Sequence, residues 1–178
     1  MLAIINAELV MRDHLIPEAV LFVEDGKIAG FGEMRNTPIP EGCEILDAEG
    51  LYVGPGFVDM HNHAGGRHWF YDEPIEAAQF NLHHGTTTIL ACLYFNMNGQ
   101  QLVEQIATVK DAMATPEGAS IAGFYMECPY MNPKFGADRE NNPWKGPIRK
   151  EEYQPVIDAV GTDAKVWVLA PERENILQ

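Results

Sequence analysis

The chain has no long apolar run, few basic residues and too few cysteines to staple a fold. No stretch approaches the roughly 18 consecutive apolar residues of a membrane span. Met1 to Glu8 carries no basic n-region and soon turns polar, so a signal peptide is not expected. Against 26 Asp and Glu stand 12 Lys and Arg, a net charge of −14. A surface of that sign repels nucleic acid and anionic membranes, while leaving room for a local basic site that takes an anionic substrate. Cys43, Cys92 and Cys128 are odd in number and scattered, which argues against a disulfide framework and fits a reducing cytoplasm. There is no Walker or Rossmann phosphate loop, no Gly-x-Ser-x-Gly elbow and no internal repeat. The composition that remains, 46% hydrophobic and 21% charged over 178 residues, suffices for a sizeable core in a globular chain.

Two patterns divide the chain. Residues 1–53 read as short strands and tight turns, an all-β module. Ala19 to Val23 is one strand, Asp25-Gly26 a hairpin signal, Lys27 to Gly32 the partner, Thr37 to Gly42 a loop, and Glu49-Gly50 a turn between two further short strands. Residues 54–178 alternate strand and helix, the pattern of a parallel sheet or barrel. Strands are expected at 56–63, 86–93, 120–127 and 165–170. A first helix over 74–84 has Asp72 or Glu73 as its cap, Pro74 in its first turn and Gly85 as its stop. In the second, over 99–113, Leu102, Ile106, Val109 and Met113 share one face. The third, over 150–160, turns Tyr153, Val156, Ile157 and Val160 inward. Pro171 to Asn175 reads as the first turn of a fourth.

The stretch Pro55-Gly56-Phe57-Val58-Asp59-Met60-His61-Asn62-His63 carries the chemistry. Residues i and i+2 of a strand point to one face, so His61 and His63 project together, with Asp59 on the same face. Alone, His-x-His is as readily two surface histidines. Placed at the end of an apolar strand, before Gly65-Gly66 where bare backbone would let a substrate approach, it reads as half of a metal site. Glu127 ends a later strand, and a barrel presents its active-site groups at that end. The alternative for Glu127 is a loop carboxylate near a helix start. Two imidazoles and a carboxylate suit Zn²⁺ or a similar divalent ion, one or two in number.

The block around His61 and His63 resembles the first barrel strand of the amidohydrolase superfamily. Phe124-Tyr125-Met126-Glu127-Cys128-Pro129 resembles the Glu-Gly-Pro strand of N-acetylglucosamine-6-phosphate deacetylases, and Leu169-Ala170-Pro171-Glu172 resembles their Leu-Ala-Pro-Glu strand. The resemblance implies an α/β fold: the N-terminal part of a (β/α)8 barrel, preceded by part of a small β-sandwich. It implies a longer enzyme, with a self-sufficient half-barrel dimer as the alternative. It makes Glu127 a metal ligand. It places two further histidines and an aspartate general acid/base on later strands, so the general base is not expected among these residues. The implied reaction is hydrolysis of the N-acetyl amide of an amino-sugar phosphate, and the implied assembly is a homodimer.

Departures from the family pattern follow Glu127. Cys128 replaces glycine and reads as a structural thiol or as a thiolate beside the metal. Gly136-Ala137-Asp138 stands where the deacetylases carry Gly-Ala-His, making Ala137 and Asp138 the implied substrate contacts. An aspartate there disfavours an anionic substrate unless Lys134 or Arg139 offsets it. Residues 138–146 read equally as a substrate loop, a surface loop or a subunit contact through Trp144. His68 and Trp69 could line the mouth. His14, His83 and His84 read as solvated or as helix-end charges. Other amidohydrolases, acting on cyclic amides or nucleobases, use a lysine on the fourth strand, where this chain has only Lys165 at the start. A non-catalytic metal-binding chain is the reading from a different class.

Overall fold

The computed structural model describes residues 1–94, 96–127 and 129–176. The chain divides into two compact units, Met1–Pro55 and Gly56–Gln178.

In the first unit, strands β1 (Leu2–Val10), β2 (Leu15–Glu24), β3 (Lys27–Glu33), β4 (Glu44–Asp47) and β5 (Tyr52–Val53) form one sheet. β1, β2 and β3 run antiparallel, whereas β4 and β5 pair with β1 in parallel. Asp25 and Gly26 both take positive φ, 50° and 71°, the geometry that lets a two-residue turn follow the twist of its strands. Glu49 and Gly50 repeat it, with the Glu49 amide donating to Asp47 Oδ1 at 2.8 Å. The apolar run of β2 packs both ways: Val20 and Phe22 against Ala3, Ala19 and Leu21 against Leu9. These strands make a single layer.

The second unit begins with β6 (Phe57–Asn62) and the short ribbon β7 (Ala64–Gly65) and β8 (His68–Trp69). It continues with α1 (Pro74–His83), β9 (Thr86–Leu93), α2 (Gly99–Met113), β10 (Ile121–Met126), α3 (Lys150–Val160) and β11 (Ala164–Trp167). The four parallel strands lie in the order β11-β10-β9-β6. Chain order is thus kept across the sheet with a helix in each crossover, the winding a (β/α)8 barrel uses. The four strands form an open sheet.

Local chemistry sets the helix ends. Asn98 caps α2 in a reciprocal box, its side chain accepting from the Gln101 amide at 3.0 Å while Gln101 Oε1 accepts from the Asn98 amide at 2.9 Å. Glu73 holds the N-cap position of α1 without a side-chain cap bond, because its carboxylate is taken by His68 at 2.7 Å. Ile89, Ala91 and Leu93 of β9 and Phe124 and Met126 of β10 pack with Leu102, Ile106 and Val109 of α2 and Val156 and Val160 of α3. By strand alternation Leu90, Cys92 and Tyr125 take the opposite face.

Three expectations change. Ile157 is 40% exposed, because Val156 and Val160 already fill the inward face of α3. The fourth strand pairs over Ala164–Trp167, with Val168 adding one bond to the Met126 carbonyl. Residues 171–176 form turns, not helix, where Arg173 is pulled into contacts with another loop. Among the described residues no helix is long and apolar enough to cross a membrane.

Candidate metal centre

The ends of three adjacent strands converge. His61 is the penultimate residue of β6, His63 follows the strand, Cys92 sits near the end of β9 and Glu127 follows β10. Register brings them level: Tyr125 pairs with Cys92, and Asn62 with Ala91. A register shift between Asp59 and Asn62 puts three steps of β6 against two of β9, a bulge of the kind that re-aims side chains beside active sites.

The ligating atoms of His61, His63, Cys92 and Glu127 all lie within 4.8 Å of one another. His61 Nε2 and His63 Nε2 are 3.2 Å apart, and His63 Nε2 is 3.4 Å from Glu127 Oε2. Cys92 Sγ is 3.9 Å from both His61 Nε2 and Glu127 Oε2. Around an ion with bonds of 2.0–2.1 Å, tetrahedral nitrogen and oxygen donors stand about 3.3–3.4 Å apart. His61, His63 and Glu127 therefore fit a divalent ion. Burial, the largest cause, lowers the pKa of His63; Glu127 opposes this, His61 adds to it, and the Cys92 backbone contributes a smaller upward pull. A neutral imidazole is the form a metal needs. His63 Nδ1 is buried with no hydrogen-bond partner among the described residues. Burial and then the Glu127 charge push the Cys92 thiol up to about 12.

Asp59, expected to share the histidine face, is bound elsewhere. Its carboxylate accepts from the His61 amide at 3.1 Å and from Asn62 Nδ2 at 2.9 Å. Asn62 also donates to Asn81 of α1 and accepts from the Ala64 amide. This network fixes the chain between the two histidines. Gly65 is needed for packing rather than for a substrate: a Cβ there would collide with the Ala77 carbonyl of α1. Gly66 makes the turn, at φ 61°.

Aromatic rings surround the cluster. Tyr125 stands edge-on to His61 at 4.4 Å, Tyr94 to His63 at 5.6 Å, and Trp69, stacked on Tyr71, lies 6.4 Å from His63. Trp69 thus reaches the mouth, while His68 is held by Glu73. His14 pairs with Asp13, and His84 bonds the Phe80 carbonyl and stacks on its ring. Neither these nor His83 joins the cluster.

Of the residues implied as substrate contacts, Ala137 is exposed and Asp138 half-buried. Asp138 accepts from Asn96 at 3.1 Å and from Asn141 at 2.7 Å. Its charge and that of Glu127 add to burial in raising the pKa of Tyr94, which ties Asp138 electrostatically to the ring beside His63. Arg139 does not offset Asp138: it turns to Glu140 and to the Lys134 carbonyl. A small cavity of about 240 Å³ joins Glu127 to Gly136, Leu169 and Glu172. A larger cavity, about 860 Å³, lies along α3 and β11 and contains none of the cluster; the chemistry of the donors, not cavity size, identifies the site. Trp144 is buried, donating from Nε1 to the Met97 carbonyl at 2.7 Å, so it anchors its own loop and is not available as a subunit contact. Cys128 lies outside the described residues.

Sequence reasoning named His61, His63 and Glu127 and missed Cys92. The signal for Cys92 was its place at the end of the second parallel strand, beside the position expected to carry chemistry.

No protein-family model matches the chain. It is 25% identical to N-acetylglucosamine-6-phosphate deacetylase of Bacillus subtilis over 187 residues, covering 98% of this chain and 45% of that protein. A shorter stretch of 69 residues is 42% identical to an adenine deaminase of Methanoculleus marisnigri, covering 39% of this chain and 12% of that one. The crystal structure of N-acetyl-D-glucosamine-6-phosphate deacetylase from Mycobacterium smegmatis matches with a TM-score of 0.74 and 25% identity, covering 98% of this chain and 48% of that chain. The chain spans less than half the length of these relatives. It is similar to the deacetylases in both sequence and fold.

Proposed function

We propose that this protein is a metal-dependent amidohydrolase that removes the N-acetyl group of an amino-sugar phosphate, with His61, His63 and Glu127 as metal ligands and zinc as the ion. The observation that carries this reading is the match to the deacetylases over 98% of the chain, which takes in all three candidate ligands. A divalent ion held by them supplies Lewis acidity toward an amide carbonyl and a water nucleophile at neutral pH.

The chain's own residues prepare for that ion. Burial shifts His63 toward its neutral form, against the pull of Glu127. Asp59 and Asn62 orient the histidine pair through backbone and side-chain bonds. Ala137 and Asp138 are the proposed substrate contacts, on the side of the neutral sugar hydroxyls and away from the phosphate, since Arg139 does not offset the Asp138 charge. The general acid/base is an aspartate on a later strand in the deacetylases this chain resembles. Among the described residues Asp59 and Asp138 are engaged by neighbours. The proposal includes a cytoplasmic homodimer whose partner is the small-molecule substrate.

Hydrolysis of a cyclic amide or nucleobase is the second reading, favoured by the local match to adenine deaminase. Against it, Lys165 is near the start of β11, with Nζ donating to the Thr162 carbonyl at 3.0 Å, far from where a bridging lysine would be needed.

The test assays the full-length natural product, loaded with Zn²⁺, for acetate release from N-acetylglucosamine 6-phosphate and for ring opening of dihydroorotate. Acetate release that falls with zinc content in Glu127→Gln is expected. Ring opening without acetate release would select the second reading. Bound zinc with neither activity would leave a non-catalytic metal-binding protein.

A further inference from the structure

We propose that Cys92 is a fourth ligand of this centre, binding through its sulfur and giving the ion one thiolate, two imidazole and one carboxylate donors. The inference rests on the reading that His61, His63 and Glu127 hold a metal, and adds to it a donor that changes which metal is held.

Geometry is the first argument. With a metal–sulfur bond of about 2.3 Å and metal–nitrogen or metal–oxygen bonds near 2.05 Å, a tetrahedral site needs about 3.6 Å from sulfur to each other donor. Cys92 Sγ stands 3.9 Å from His61 Nε2 and 3.9 Å from Glu127 Oε2. A few tenths of an ångström of contraction brings both sulfur edges to the tetrahedral value, beside edges of 3.2 and 3.4 Å, with the remaining two inside 4.8 Å.

Placement is the second. A fully buried cysteine usually packs as a small hydrophobe. The apolar core of this unit lies on the helix side of the sheet, formed by Ile89, Ala91 and Leu93 of the same strand. Cys92 is 0% exposed yet absent from that core, and its sulfur faces an imidazole and a carboxylate.

Charge is the third. A divalent ion beside Glu127 alone leaves a net positive charge at a partly buried site. A thiolate neutralises it, and a coordinated thiol gives up its proton to solvent as the metal–sulfur bond forms. Sulfur donors select zinc, cadmium and cobalt over magnesium and manganese.

Cobalt(II) titration of the full chain reads the sulfur directly. The wild-type protein should show the visible ligand-field bands of tetrahedral cobalt together with a near-ultraviolet thiolate-to-cobalt charge-transfer band. Cys92→Ala and Cys92→Ser should keep the first and lose the second, and their preference for Cd²⁺ over Mn²⁺ should fall by at least about 10–100-fold, the loss typical of removing even a partner of a metal ligand. Cys43→Ser and Cys128→Ser should leave the band in place. Ligand-field bands without charge transfer in the wild type, or a charge-transfer band that survives Cys92→Ala, would overturn the role of Cys92 and leave the three-residue centre standing. No cobalt binding by the wild type would overturn both.

Discussion

Replacing Arg173 by lysine should loosen residues 129–148, the segment that follows Glu127 and carries Ala137 and Asp138. The guanidinium donates to the Met131 carbonyl at 3.0 Å and the Trp144 carbonyl at 2.9 Å, both partly buried, and to the exposed carbonyls of Lys145 and Gly146. It also lies over the Tyr130 ring, 5.4 Å from its centroid. Water replaces the exposed bonds at little cost, so the two buried acceptors decide the magnitude. A lysine ammonium keeps the charge but lacks the planar fork, and reaches one of the two. Losing one charged hydrogen bond costs about 1.5–3 kcal/mol, and a weakened cation–π contact adds about 0.5 kcal/mol. The expected local destabilisation is about 2–3.5 kcal/mol, or roughly 30–300-fold faster opening at 1.4 kcal/mol per decade. Native-state hydrogen exchange of the backbone amides of 129–148 and of the Trp144 indole measures it. Exchange unchanged within twofold would refute the clasp. So would acceleration equal to that in β1–β3, because a local device should not loosen the other unit.

Three further outcomes follow from individual contacts. Asn98→Ala removes the side-chain half of the α2 capping box, the acceptor for the Gln101 amide, and leaves the backbone amide that donates to Gln101 Oε1; it should lower stability by about 1 kcal/mol in urea denaturation, with Asn98→Asp restoring most of it. Tyr130 donates to Glu152 at 2.6 Å, and burial, then that bond, push its pKa up to about 12. Its folded pKa lies above the unfolded value near 10, so its contribution is fully present below pH 10 and is lost as pH rises toward about 12. Tyr130→Phe should therefore flatten that alkaline fall in melting temperature, and an identical fall in the variant would count against the assignment. Phe124 is fully buried between sheet and helices, so Phe124→Ala should cost about 3–5 kcal/mol, read as a matching drop in denaturation midpoint.

Much of this protein is legible in its residues because the relevant forces are short-range. Asp25-Gly26 forces a hairpin, Asn98 and Gln101 start a helix, and Leu102, Ile106 and Val109 mark its buried face without knowledge of the rest of the chain. The approach of His61 to His63 follows from a spacing of two, and Glu127 from its place at a strand end. Tertiary structure decided what depends on register and distant contacts. The bulge between Asp59 and Asn62 raises His61 to the level of Cys92, and nothing local to either residue encodes it. Asp59 has the right periodicity for the site but is captured by the His61 amide and Asn62. Residues 171–176 leave helical geometry, with Arg173 finding its acceptors between 27 and 42 residues away. Periodicity and turn chemistry act over a few residues and survive in the linear sequence; the meeting of sulfur, imidazole and carboxylate is a product of strand pairing.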